Sequence, residues 1–156
     1  MIPLPNPEVA LIERRVIRAA DSLLAHDAYL LTCDLNERSI THKFAEHLQR
    51  EFPEWNVDCE YNRDRHDPKR LDLPSRHDIN SDDLDAKTVF PDIIIHRRGT
   101  DENVVVIEVK KSTNTESNEW DMRKLAAFRD QLRYRVALFF SFRTGTTEVG
   151  FECARV

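Results

Sequence analysis

Apolar positions recur along the chain in two rhythms, and the places where the rhythm changes mark its elements. From Val9 onward, Ile12, Val16, Ala20 and Leu23 return every three or four residues, the spacing that gathers side chains on one face of an α-helix. In front of them, Asn6-Pro7-Glu8 offers an N-cap, a proline at the first helical position and an acid for the positive end of the helix dipole. A helix is predicted from there to about Ala25, followed by Tyr29-Leu30-Leu31 as a short apolar connector. Ile40, Phe44, Leu48 and Phe52 mark a second helix, which ends before Pro53 because a proline disfavours helical geometry in the residue preceding it. The period then drops to two. Trp55, Val57, Cys59 and Tyr61 alternate with Asn56, Asp58, Glu60 and Asn62, the pattern of a strand with one buried and one wet face.

From Arg63 to Lys87 the chain is polar and charged, interrupted by Pro68 and Pro74, and reads as a long connection, either a functional loop or a disordered one. Two strands of the buried type follow, Val89 to His96 and Asn103 to Lys111, joined by Gly99-Thr100-Asp101-Glu102 as a hairpin turn. Trp120, Leu125, Phe128 and Leu132 predict a third helix, and Val136 to Phe142 and Glu148 to Cys153, linked through Thr144-Gly145-Thr146, a closing hairpin. The resulting order is helix, helix, strand, strand, strand, helix, strand, strand. It predicts an α/β or α+β sandwich of two or three layers, with a central mixed sheet flanked by helices.

Composition sharpens this in three respects. At 156 residues, 40% of them hydrophobic, the chain suits a single domain over 1–156 with a real core, despite 33% charged residues. Cys33, Cys59 and Cys153 are far apart and odd in number, which fits neither a disulfide framework nor zinc-ligand spacing, and they are expected to be reduced core thiols of a cytoplasmic protein. No apolar stretch approaches membrane-spanning length, and Met1-Ile2-Pro3-Leu4-Pro5 lacks the regions of a secretion signal, so no membrane partner is expected. A formal net charge of -5 argues against broad coating of nucleic acid, since nonspecific affinity comes from Lys and Arg displacing counterions around phosphates. Acids gather at Asp82, Asp83, Asp85, Asp101 and Glu102. Arg123, Lys124, Arg129, Arg133, Arg135 and Arg143 crowd the last third, as a local basic face or as a solvated, salt-bridged one.

The chemistry lies in charges placed inside apolar runs. Pro91-Asp92 opens Ile93-Ile94-Ile95, and Glu108-Val109-Lys110 closes Val104-Val105-Val106-Ile107. An unpartnered buried carboxylate costs several kcal/mol, roughly, or more, so such charges meet one another, a lysine or a metal. Residues two apart on a strand share a face, so Glu108 and Lys110 project the same way and Val109 the opposite way. If the two strands pair through the Gly99 turn, Asp92 comes within reach of Glu108. Hard oxygen donors of this kind suit Mg²⁺, with Mn²⁺ as a substitute. On the second helix, Glu37 falls on the stripe of Ile40, Phe44 and Leu48, although an acid in a first turn also answers the helix dipole.

Pro91-Asp92 in one strand, Glu108-Val109-Lys110 in the next, Glu37 on an upstream helix and a helix after the motif strand resemble the PD-(D/E)xK nuclease superfamily. The resemblance runs from roughly Leu35 to Phe142. It implies a restriction-endonuclease-like αβββαβ core, with an extra N-terminal helix, the Arg63 to Lys87 insertion and a final strand outside it. By that resemblance Asp92 and Glu108 bind the divalent metal, with the Val109 carbonyl as a backbone ligand, and Glu37 completes the site directly or through water. Lys110 orients or deprotonates the attacking water, or stabilises charge on the phosphate. The implied activity is phosphodiester hydrolysis, on DNA rather than RNA. The small domain suggests a homodimer or a recruiting subunit. Two alternatives stand beside it: a binding or structural module without catalysis, and a metal enzyme for a small phosphorylated substrate with the charged insertion as a lid.

Other polar residues carry less. Lys111 reads as a solvated strand-end charge, and Lys124 lies at the edge of the third helix's apolar stripe. Gln131 and Tyr134 resemble a Gln and a Tyr that an exonuclease branch has in this helix, at a spacing shorter by one residue. Ser112, Thr113 and Asn114 are placed to touch phosphate but need no function. His42 and His47 are five apart and off a common helix face, and Trp55, Trp120 and the Phe139-Phe140 pair suit a core.

Overall fold

The helical stretches form where the apolar stripes and their caps coincide. The computed structural model describes residues 6–61, 70–72 and 86–156, with the side chains of 70–72 and 86–88 left aside. Helix α1 (Pro7–His26) starts at Asn6, whose Oδ1 accepts from Glu8 N at 2.9 Å, and buries Ile12, Val16, Ala19, Ala20 and Leu23. The expected connector is a short helix, α2 (Ala28–Thr32), which buries Leu31 and leaves Tyr29 exposed. Helix α3 (Glu37–Glu51) is capped by Asn36, which accepts from Ser39 N at 2.9 Å. It buries Ile40, Phe44 and Leu48, as their spacing predicts.

Among the described residues, seven strands and a fourth helix follow: β1 (Asn56–Cys59), β2 (Arg70–Asp72), β3 (Ala86–Thr88), β4 (Ile93–His96), β5 (Asn103–Lys111), α4 (Glu119–Leu132), β6 (Val136–Arg143) and β7 (Gly150–Arg155). Five of them form one sheet in the order β1-β4-β5-β6-β7. Only β5 and β6 run parallel, because α4 carries the chain back between them; the other neighbours are antiparallel. The sheet is therefore mixed. Alternation along β5 sends Val105, Ile107 and Val109 into a core shared with α1 and α3, and Val106 into a second core under α4. Helices thus cover both faces. Among the described residues, no helix is long and apolar enough to cross a membrane.

Four expectations change. The stretch from Arg63 to Lys87 lies mostly outside the described residues, but β2 and β3 pair across it as a two-stranded antiparallel ladder, Arg70 opposite Thr88. Strand β4 begins at Ile93 rather than Val89, since Asp92 meets Val109 N through its side chain, where a strand would continue the ladder through its backbone. Strand β7 lies about two residues later than expected, because Thr144 and Gly145 are drawn to α2 and the loop after it: Thr144 Oγ1 donates to Asp34 Oδ1 at 2.7 Å, and Gly145, at φ 73°, donates its N–H to Leu31 O at 2.9 Å. All three cysteines are exposed rather than in the core. Cys33 caps α2 and the other two sit on the edge strands β1 and β7, where the sheet lacks a further neighbour.

Candidate functional site

Pairing of β4 with β5 sets Ile93 opposite Ile107, so Asp92 arrives beside Glu108. Asp92 Oδ2 accepts from Val109 N at 2.8 Å, and the Asp92 carboxyl group adjoins that of Glu108. Glu108 is 2% exposed. Burial pushes its carboxyl well above the ordinary carboxylate range, the charge of Asp92 pushes in the same direction, and Lys124 opposes both. The two acids singled out in separate strands are one contact pair.

Glu37 opens α3 and reaches the far end of β5. Its Oε2 accepts from Lys111 N at 3.2 Å, and both of its oxygens accept from Asn114 Nδ2, at 3.0 and 3.2 Å. Together with Asp92 and Val109 it lines a cavity of ≈ 320 Å³, whose other walls include Arg38, His42 and Glu60. Glu108 and Lys110 project from the opposite face of β5, toward α4. Asp92 is therefore the link between an open side, with Glu37, and a buried side, with Glu108.

The lysines divide unexpectedly. Lys110, 8% exposed, donates to Glu116 O at 3.1 Å and Ser117 O at 3.2 Å, and its Nζ lies 3.1 Å from Asp121 Oδ2. Its ammonium is thus spent on the start of α4 rather than on the acids. Lys124, also 8% exposed, stands 2.7 Å from Glu108 Oε1 and donates to Phe90 O at 3.2 Å. Sequence reasoning gave it little weight, yet a signal was there. Lys124 lies four residues after Trp120 and four before Phe128, on the stripe that α4 buries, and Leu125 flanks it. Asp121 gave no such signal, since acids in a first turn are common.

Several secondary readings are also corrected. Lys111 is not a solvated charge: its Nζ lies 3.2 Å from Asp34 Oδ1 and donates to the carbonyls of Asp34 at 3.3 Å and Leu35 at 3.2 Å. The loop after β5 bonds inward, with Thr113 Oγ1 donating to Asp34 Oδ1 at 2.8 Å and Ser112 Oγ accepting from Thr144 N at 3.0 Å. Gln131 is exposed near the far end of α4, and Tyr134, beyond the helix, packs edge-on against Phe128 in the core. Neither is near Asp92, since the seven residues from Lys124 to Gln131 span about 10 Å of helix. His47 pairs with Asp27 at 2.6 Å and His96 with Asp58 at 2.7 Å, both away from the acid pair. Three of the C-terminal arginines lie on a solvated, salt-bridged face, Arg123 on Glu119, Arg129 on Asp130 and Arg135 on Glu8.

No group of three or more His, Cys, Asp or Glu among the described residues is arranged as a metal cluster. The pair nevertheless fits a hard divalent ion, which takes one or two carboxylates and keeps several waters. Glu108 Oε1 is out of water and, although Lys124 stands beside it, has no donor aligned for a hydrogen bond. A cation there relieves the repulsion between two adjoining acids. Comparison with protein-family models, with curated proteins and with solved structures returned no match.

Proposed function

We propose that the protein is a Mg²⁺-dependent phosphodiesterase of the PD-(D/E)xK nuclease type, acting on DNA in preference to RNA. The observation that carries this reading is the contact between Asp92, half-buried just before β4, and Glu108, buried on β5 with Lys124 against it. Packing alone gives no reason to hold like charges together in a core, whereas a divalent ion does. The parallel β5–α4–β6 crossover on a mixed sheet and the motif spacing support the same restriction-endonuclease-like reading.

In this reading Asp92 and Glu108 would hold the ion, the Val109 carbonyl would add a backbone ligand, and Glu37 would reach it through water. A bound Mg²⁺ lowers the pKa of a water nucleophile and neutralises phosphate oxygens. The cavity beside Asp92 admits the substrate's phosphate, and the resemblance gives Lys110 the part of orienting the water. Because Arg123, Arg129 and Arg135 are already paired with acids, nucleic acid is held at the cleft rather than over a basic surface, and a second copy or a recruiting subunit supplies the remaining affinity.

The test is strand scission on plasmid, single-stranded DNA and RNA, with Mg²⁺ or Mn²⁺. Wild type is expected to cleave, and Asp92→Asn to lose on the order of 100-fold or more in rate. Mn²⁺ at about 100 times its Kd should add about 2.7 kcal/mol of stability to wild type and little to Asp92→Asn. A wild type that neither cleaves nor gains stability sinks the reading. One observation favours a second: Glu108 already has a counter-ion in Lys124, so a module that binds without catalysis also holds together. Stability indifferent to Mn²⁺ is its signature.

A further inference from the structure

Within the nuclease reading, on which this inference rests, the two lysines exchange parts. We propose that Lys124, not Lys110, supplies the ammonium that faces the scissile phosphate, and that Lys110 is a strut fixing the start of α4 to β5. An ammonium has three donors. Those of Lys110 meet three acceptors at 3.1 to 3.2 Å, namely the Glu116 and Ser117 carbonyls just before α4 and the Asp121 carboxylate in its first turn. Turning this side chain toward a substrate would strip all three acceptors of their donor in a half-buried place, and nothing at the site compensates for that.

Lys124 is in the opposite position. Its ammonium touches the oxygen of Glu108 that a metal ion is expected to take, at 2.7 Å. Two cations cannot share that oxygen without strong repulsion, so loading the ion displaces Lys124 from Glu108. Its other contact is the Phe90 carbonyl at 3.2 Å, two residues before Asp92. A displaced ammonium tethered there stays close to Asp92, and so beside an ion held by the two acids. Asp121 precedes Lys124 by three residues on one face of α4, so the Lys110–Asp121 contact holds the helix that presents Lys124. Lys110 thereby acts through α4 as a positioning residue.

The experiment uses the full chain, with Mn²⁺ alone for thermal shifts and Mg²⁺ for cleavage. Without metal, Lys124→Met leaves Glu108 buried and unpaired and should lower Tm by about 10 °C. Mn²⁺ should close most of that gap, because the ion takes the ammonium's place. Lys110→Met should show a deficit that Mn²⁺ leaves intact. In cleavage, Lys124→Met should lose about 100-fold or more in kcat, with partial recovery in Lys124→Arg. Lys110→Met should lose less than about tenfold, and Asp121→Asn should reproduce it. If Lys124→Met does not fold, Lys124→Gln keeps a donor to Glu108 without the charge and carries the same expectations. Two results overturn the inference while leaving the nuclease reading standing: Lys110→Met inactive with Lys124→Met near wild type, or a Lys124→Met deficit that Mn²⁺ does not reduce although it stabilises wild type. A wild type without Mn²⁺ stabilisation or cleavage overturns both.

Discussion

Asp58 shows how a single side chain in this protein is decided by its partners. Burial pushes its carboxyl up, but hydrogen bonds from Arg98 and His96, and their charges, outweigh burial and hold it below the ordinary aspartate value of 3.8. His96 Nε2 lies 2.7 Å away and Arg98 Nε 2.9 Å, so the carboxylate bridges β1 to the β4–β5 turn. A depressed folded-state pKa means that the unfolded chain binds the proton first as pH falls. The contribution of Asp58 is therefore full above about pH 4 and is lost below it, as pH passes through the folded value. The stability gap between wild type and Asp58→Asn, read from urea midpoints across pH, should be largest near neutrality and shrink from about pH 4 toward pH 2. A gap constant over that range refutes the account. The same scale separates what could be read from what could not. Asp92 and Glu108 stood out because strands in an apolar run leave a charge no route to water. Lys124 did not, because a helical lysine at a stripe's edge can snorkel outward on its stem.

At the scale of elements, the site depends on where α3 begins. Glu37 is its first residue, and the Asn36 cap sets the angle at which the helix enters. Just upstream, Asp34, with φ 53°, ties the α2–α3 loop to the ends of β5 and β6, since its Oδ1 also accepts from Thr144 Oγ1 at 2.7 Å. Removing the cap with Asn36→Ala should cost about 1 kcal/mol, while Asn36→Asp, which keeps an acceptor, costs little. The Ala variant should also lower cleavage more than a distant surface change of equal cost, because Glu37 loses its anchor; thermal melts paired with the scission assay check this. The helices' existence was legible from period and caps. The α2 turn was not, as a five-residue apolar stretch has no helical period of its own to show. Nor was the later start of β7, which follows from loop contacts with residues more than a hundred positions earlier.

For the whole molecule, stability rests on the face under α1 and α3, where Phe44, Phe140, Phe142 and Phe151 pack with ring centroids 4.9 to 6.1 Å apart. Phe140→Ala should destabilise by about 3–5 kcal/mol, visible as a lower urea midpoint with an unchanged slope. An equal loss from the half-exposed Trp120 on the α4 side would contradict that ranking. Periodicity by itself determined the layered α/β architecture, the hairpin at Gly99 and the fact that charges sit where a core should be, because hydrophobic burial acts on local spacing. It could not say which lysine meets Glu108, that Lys110 is held by the loop before α4, or that Lys111 folds back onto Asp34. Lys110 meets a loop only six and seven residues further on, whereas Glu108–Lys124 joins a strand to a helix and Lys111–Asp34 spans 77 positions; in each case it is the packing of helices on the sheet that brings the groups within reach of one another.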